Sequence, residues 1–323
     1  MTNELTLALS KGDIRVGVDI ASINHEQGSI DSTVFLEAIV NASVFKPLSD
    51  QLSFNADAKF GLLDASGLVV LSGEIDYDFA DLLELKLDAT YKSTIPSLIR
   101  QRLVVNDSLY QESDWDDITG GSLSLSTFYK PTSTSFDVSY EAFTNLFTIN
   151  QRGFFEQIRN SVSLLSLQTK QDVKVGPVYT EHALKFQTIS DNRFTVPRWN
   201  YTGSFYVQFH LFKKKMFAQL GTDVYFLPPF DLPEFYAVTG EFYNSSPANG
   251  TSVVILNPYF NAKVGPFHIF VKGMDMLHRL RTTAVVPVPG SDATVRVYDF
   301  PLVTGLPRQD FKFRFGIKWT FLD

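Results

Sequence analysis

From Gln51 onward the chain alternates between apolar and polar residues. In QLSFNADAKFGL the even positions Leu52, Phe54, Ala56, Ala58, Phe60 and Leu62 are apolar, while Gln51, Ser53, Asn55, Asp57 and Lys59 are not. The next run sets Val69, Leu71, Ile75, Tyr77 and Phe79 against Ser72, Glu74, Asp76 and Asp78, and the one after sets Leu83, Leu85, Leu87, Ala89 and Tyr91 against Glu84, Lys86, Asp88, Thr90 and Lys92. Successive side chains of an extended strand point to opposite faces, so a period of two makes a ribbon with one apolar and one polar face. Each run is about 12 residues long, whereas strands of soluble domains average about 5–6. Tilted strands of about 9–11 residues are what crosses a bilayer core.

The same period predicts strands over 13–22, 32–46, 51–63, 68–79, 82–93, 119–130, 135–149, 158–171, 174–189, 199–212, 215–226, 252–264, 266–278 and 309–321, with 3–10 as an optional extra. No comparable stretch has a helical period. Short turns are expected at 11–12, 47–50, 80–81, 131–134, 171–173, 213–215 and 265–266. The intervening connections, 23–31, 64–67, 94–118, 150–157, 190–198, 227–251 and 279–308, fall on the other side, and three of them are long enough to be rare outside functional loops. Short turns at one end and long loops at the other is the arrangement of outer-membrane barrels.

A soluble sandwich or propeller also alternates. Strand length, segregated loops and apolar faces rich in Phe, Leu, Val and Tyr favour the membrane reading, in which the apolar face meets lipid and the polar face lines a lumen. The expected fold is all-β: one closed, antiparallel, up-and-down transmembrane β-barrel over 1–323, of about 14 strands (14–16), with periplasmic turns and extracellular loops. Closure follows because an open edge in hydrocarbon leaves backbone N–H and C=O groups unpaired. Even strand parity makes residues 1–12 either a lead-in or the remnant of a missing upstream part.

The last run carries both chemistries. Phe311, Phe313, Phe315, Ile317, Trp319 and Phe321 are expected to face lipid, with Trp319 and Phe321 near the interfacial aromatic belt, and Lys312, Arg314 and Lys318 to face the lumen. An aromatic final strand also looks like an assembly signal for the barrel-assembly machinery, although Leu322 and Asp323 follow Phe321 here.

Composition narrows the chemistry. The 29 Phe, 13 Tyr and 3 Trp make 14% aromatics, and the absence of cysteine excludes disulfides and thiolate metal sites. A net charge of −7 argues against nucleic acid as a partner. No apolar run reaches the length of a transmembrane helix, and the first residues lack the apolar core of a secretory signal; for an exported protein the signal has been removed. His25, His182, His210, His268 and His278 show no metal-ligand spacing, and no nucleophile elbow is present, so neither enzymatic activity nor a metal or cofactor is expected. The acidic run Glu112, Asp114, Asp116, Asp117 around Trp115 lacks the spacing of a calcium loop and reads as solvated.

Lumen charges are unevenly spread. The early strands offer Glu74, Asp76, Glu84 and Asp88; the last offers Lys312, Arg314 and Lys318, which barrel closure would bring beside the first strands as a basic arc against an acidic one. Such walls either bias solute passage or merely pair to fill a narrow lumen. Between Leu227 and Tyr243 an aromatic-proline loop with Pro228, Pro229, Phe230, Phe235 and Tyr236 either folds inward as a constriction or outward to bind a partner protein.

The stretches FYVQFHLFKKKMFAQLGTDVYFLPPFDLPEFY (205–236), NPYFNAKVGPFHIFVKGMDML (257–277) and RQDFKFRFGIKWTFLD (308–323) resemble the C-terminal region of the putative-porin family of Bacteroidota outer membranes, with a fainter resemblance at 94–117. The resemblance spans about 230 residues and implies a longer protein with an upstream part. It implies an outer-membrane pore without establishing one. The expected function is passive diffusion of small polar solutes; the alternative is a non-conducting assembly barrel whose surface loops bind other outer-membrane proteins.

Overall fold

The computed structural model describes residues 2–11, 13–27, 31–106, 108–150, 152–244, 252–277, 284–287, 294–297 and 311–319. Fifteen strands form one sheet in sequence order: β1 (Thr2–Lys11), β2 (Ile14–Gln27), β3 (Asp31–Pro47), β4 (Leu52–Leu63), β5 (Val69–Phe79), β6 (Leu83–Thr94), β7 (Ile118–Tyr129), β8 (Thr134–Thr144), β9 (Val162–Val175), β10 (Val178–Ile189), β11 (Trp199–Leu211), β12 (Met216–Leu227), β13 (Val253–Val264), β14 (Phe267–Met274) and β15 (Lys312–Trp319). Every neighbouring pair is antiparallel, as a meander of hairpins requires.

One open expectation is resolved and two change. Thr2–Lys11, left open as a lead-in, a remnant or an optional extra strand, is a full strand in register with β2, from Thr2 opposite Ile23 to Lys11 opposite Ile14, so the sheet has 15 strands among the described residues, within the expected 14–16. The turn expected at 171–173 lies at Gly176-Pro177, where Gly176 takes φ +60 and lets β9 and β10 extend to Val175 and Val178. Finally, the sheet is not a closed barrel: among the described residues β1 and β15 are its two edges and no ladder joins them. A meander reverses direction at each step, so the first and fifteenth strands run the same way and any ladder between them would be parallel.

Cross-strand partners share a face, so the register assigns every strand position. Glu74 lies opposite Asp88, which lies opposite Ser124; Ser124 continues through Ser139 and Ser166 to Gln187. Further along, Glu181 is opposite Ser204, Ser204 opposite Asp223 and Asp223 opposite Asn257. The other face is apolar, and from β4 through β15 it carries no Asp, Glu, Lys or Arg. That apolar face is open: Phe60, Leu71, Ile75, Leu87, Leu123 and Phe315 are all exposed, Phe315 at 78%. A sandwich would bury such a face against a second sheet, and here it is a hydrocarbon-compatible surface. His182 lies on it opposite Gln171, and its Nδ1 lies 2.8 Å from the Tyr201 hydroxyl of the next strand, which satisfies one ring nitrogen.

Candidate functional site on the polar face and its loop lid

The polar face carries two charged walls. On β5 and β6, Glu74 faces Asp88, Asp76 faces Lys86 and Asp78 faces Glu84. Lys86 Nζ is 2.5 Å from Glu74, and Lys130, from the short turn between β7 and β8, reaches Asp78 at 2.7 Å and Glu84 at 3.1 Å. Hydrogen bonding first to Asp78 holds the Lys130 ammonium above its ordinary pKa. A hollow of about 620 Å³ opens here, lined by Asp50, Asp76, Asp78, Glu84 and Asp137 with Lys86 among them. The four candidate acids lie on adjacent strands, and one of them, Glu84, is bound together with Asp78 by Lys130, which the alternation did not reveal because it sits in a turn.

On the far edge the sign reverses. Lys263 lies opposite His268 and His268 opposite Lys318, while Tyr259 lies opposite Lys272 and Lys272 opposite Arg314. Lys272 Nζ binds Asp223 at 2.7 Å and sits 6.0 Å from the centroid of the Tyr259 ring. Lys312, Arg314 and Lys318 share the face of Glu74, Asp76, Glu84 and Asp88, as expected. They are not beside them: β15 is the last strand in the order and β6 the sixth, so the walls are separated by most of the sheet. The expectation of adjacency failed with the closure it assumed.

On the opposite face of β15, Phe313 is 63% exposed and Trp319 53%, and Phe311 just before the strand is half-buried. Phe321 lies outside the described residues.

The loops above the polar face build a small core of their own. Loop 95–117 holds a short helix, Leu98–Gln101, and a hairpin of Arg102–Val105 with Ser108–Glu112. Loop 145–161 holds a hairpin of Leu146–Ile149 with Phe155–Ile158, and loop 228–252 one of Glu234–Tyr236 with Glu241–Tyr243. Leu103, Phe147, Ile149 and Phe155 are buried together, with Trp115, Tyr110, Tyr236 and Tyr243 packed around them. Trp115 turns in from the middle of the acidic run, donating from Nε1 to the Arg100 carbonyl at 2.7 Å and meeting Phe147 edge-on. Gln111 exchanges two hydrogen bonds with the Phe155 backbone, and Gln157 does the same with Asp116.

The aromatic-proline loop is thus fastened to its neighbours. The Tyr236 hydroxyl lies 3.2 Å from that of Tyr110, and this hydrogen bond, with burial, raises the Tyr236 pKa. Gly153, at φ +84, leaves room for Tyr236, whose hydroxyl a Cβ there would strike. Pro228 is buried, Phe230 and Phe235 are half-buried, and Pro229 is exposed. Arg100 donates to Glu241 Oε1 from Nε at 3.1 Å and from a terminal nitrogen at 2.7 Å. The Arg102–Val105 strand also touches β2. The loop rooted between β6 and β7 thus reaches β2 on one side and the β12–β13 loop on the other, and these joined loops form a lid at the long-loop end of the sheet.

From β4 through β15, an outer face free of Asp, Glu, Lys and Arg and a charged inner face, with a lid at the long-loop end, have the pattern of a membrane β-sheet. The chain belongs to the family described as "Putative porin", which matches residues 10–323 and so extends well beyond the C-terminal stretches that carried the resemblance. No curated protein matches the chain in sequence. Among solved structures, the ferric enterobactin receptor PfeA from Pseudomonas aeruginosa has a TM-score of 0.62 at 10% identity, covering 86% of this chain and 48% of that one. The siderophore receptor PirA from Pseudomonas aeruginosa scores 0.58 at 10% identity over 86% and 53%. The FrpB iron transporter from Neisseria meningitidis scores 0.57 at 7% identity over 86% and 51%. At these identities the likeness is one of fold, and this chain spans about half the length of those proteins.

Proposed function

We propose that this chain forms the wall of a channel in the outer membrane of Bacteroidota through which small polar solutes diffuse passively. The observation that carries the reading is the division of the sheet, from β4 through β15, into an outer face free of Asp, Glu, Lys and Arg and an inner face that holds the charges. Lipid meets the first and water the second. In this reading the two edges of the sheet are satisfied in the membrane, since each unpaired backbone group in hydrocarbon costs several kcal/mol. The lid narrows the entrance and the charged walls orient what passes. Conductance across a planar bilayer containing the purified chain tests this; a sealed bilayer despite folded, inserted protein would overturn it.

A second reading is a non-conducting barrel that binds other outer-membrane proteins through the lid. It is favoured by apolar side chains on the lid's outer surface, with Phe242 57% and Val238 41% exposed. Binding lost on Phe242→Ser, with no conductance in either variant, would favour it over the channel.

A further inference from the structure

We propose that the wall formed by β13, β14 and β15 is a binding path for small oxyanions; the inference rests on the channel reading and gives it a solute class. These three strands carry Lys263, Lys272, Lys312, Arg314 and Lys318 and not one Asp or Glu. All five lie on the polar face: Asp223 pairs with Asn257, two residues before Tyr259 on the same face, Tyr259 pairs with Lys272 and Lys272 with Arg314, Lys263 with His268 and His268 with Lys318, and Lys312 is two residues from Arg314.

The cations form rungs. Lys263, His268 and Lys318 make one row across three strands, and Lys272 and Arg314 make a second. Adjacent strands are about 4.8 Å apart and same-face neighbours along a strand about 7 Å. The two rows are four residues apart, about 13 Å along the strands, with Phe270 and Gly316 between them on that face, so an oxyanion at either row is within reach of at least two cations and passes between two stations. Arg314 adds a planar fork that takes two oxygens at once. Asn257, Asn261 and Gln219 line the same face, and Asn261 already donates to Gln219 at 3.0 Å. Such side chains replace part of the hydration an anion sheds. Among the described residues, Asp223 is a carboxylate that reaches this wall, and Lys272 holds it. On β5 and β6, by contrast, Glu74, Asp78 and Glu84 engage Lys86 and Lys130, so bases there neutralise acids and the hollow stays acidic. Anions are repelled from that side and collected on this one, and low-dielectric walls focus the difference.

The test uses the full chain in planar bilayers, with chloride as carrier and inorganic phosphate as probe. Reversal potentials under a chloride gradient are expected to favour anions, and phosphate at millimolar concentration to reduce chloride conductance severalfold. In the K263Q/R314Q/K318Q variant the preference moves toward cations and the phosphate block is lost, while K263R/R314K/K318R keeps the block. Conductance without anion preference, or a phosphate block that survives in the Gln variant, overturns the oxyanion path and leaves the channel standing. Absence of conductance from the unmodified chain overturns both.

Discussion

Arg100 and Glu241 are 141 residues apart in the chain and meet through two hydrogen bonds of 2.7 and 3.1 Å. One belongs to the loop between β6 and β7 and the other to the loop between β12 and β13, on strands six places apart in the sheet. The Arg100 guanidinium also stacks 4.9 Å from the Phe147 ring centroid, so one side chain ties all three loops together. The pair is partly sheltered, with 26% and 28% of the two side chains exposed.

Removing this tie is expected to loosen the lid without unfolding the sheet. Arg100→Ala or Glu241→Ala should cost about 1 kcal/mol of lid closure, at the upper end for a partly exposed pair. Hydrogen exchange at 234–243 should accelerate severalfold, and open-channel noise should rise. The swapped variant R100E/E241R should recover part of both; unchanged exchange in all three would mean the pair holds nothing.

The lid's own core makes a second prediction. Leu103, 3% exposed, is expected to cost the lid about 2–5 kcal/mol when replaced by Ala, the range for a buried Leu. Proteolysis within 95–117 should then become fast while the strands β4 to β14 stay protected. Equal loss of protection in the strands would show that lid and sheet fold as one unit.

The two faces of β15 differ in tolerance. Phe315→Arg should destabilise by about 2–4 kcal/mol if it sits near the bilayer midplane, because a charge on the lipid face has no water to hydrate it. Lys318→Ala, on the polar face, should leave folding unchanged. Urea titration in lipid vesicles compares them, and equal stability would mean the faces are exchanged.

A pH dependence is expected in loop 190–198. Arg193 binds Asp191 at 2.6 Å and, chiefly through that hydrogen bond, lowers the Asp191 pKa. A carboxylate with a depressed folded pKa adds stability at pH above its unfolded value, about 3.9, and loses it as pH falls through the lower folded value. The loop should therefore stay protected from exchange at pH 5–7 and open below about pH 3.9, whereas D191N should show no change across that range. Equal acid response in both would exclude the pair as the cause.

The chain's alternation by itself determined the strands and their faces. Leu71, Ile75 and Phe79 against Glu74 and Asp76 is a period that only an extended backbone converts into two chemistries, and hydrogen bonding then fixes neighbours in register. The segregation of long from short connections was equally local, since Gly and Pro at short turns and polar runs between strands act within a few residues. Contacts made between distant residues lay beyond it. Trp115 in an acidic run gave no sign that it turns inward onto Phe147, and Arg100 gave none of Glu241, because neither pairing is implied by spacing. Strand parity left two readings of the first residues open, and only pairing with the edge of β2 makes Thr2–Lys11 a strand, which places β1 and β15 in the same direction. Face and period are properties of one strand; lid, parity and the separation of the two charged walls are properties of the whole sheet.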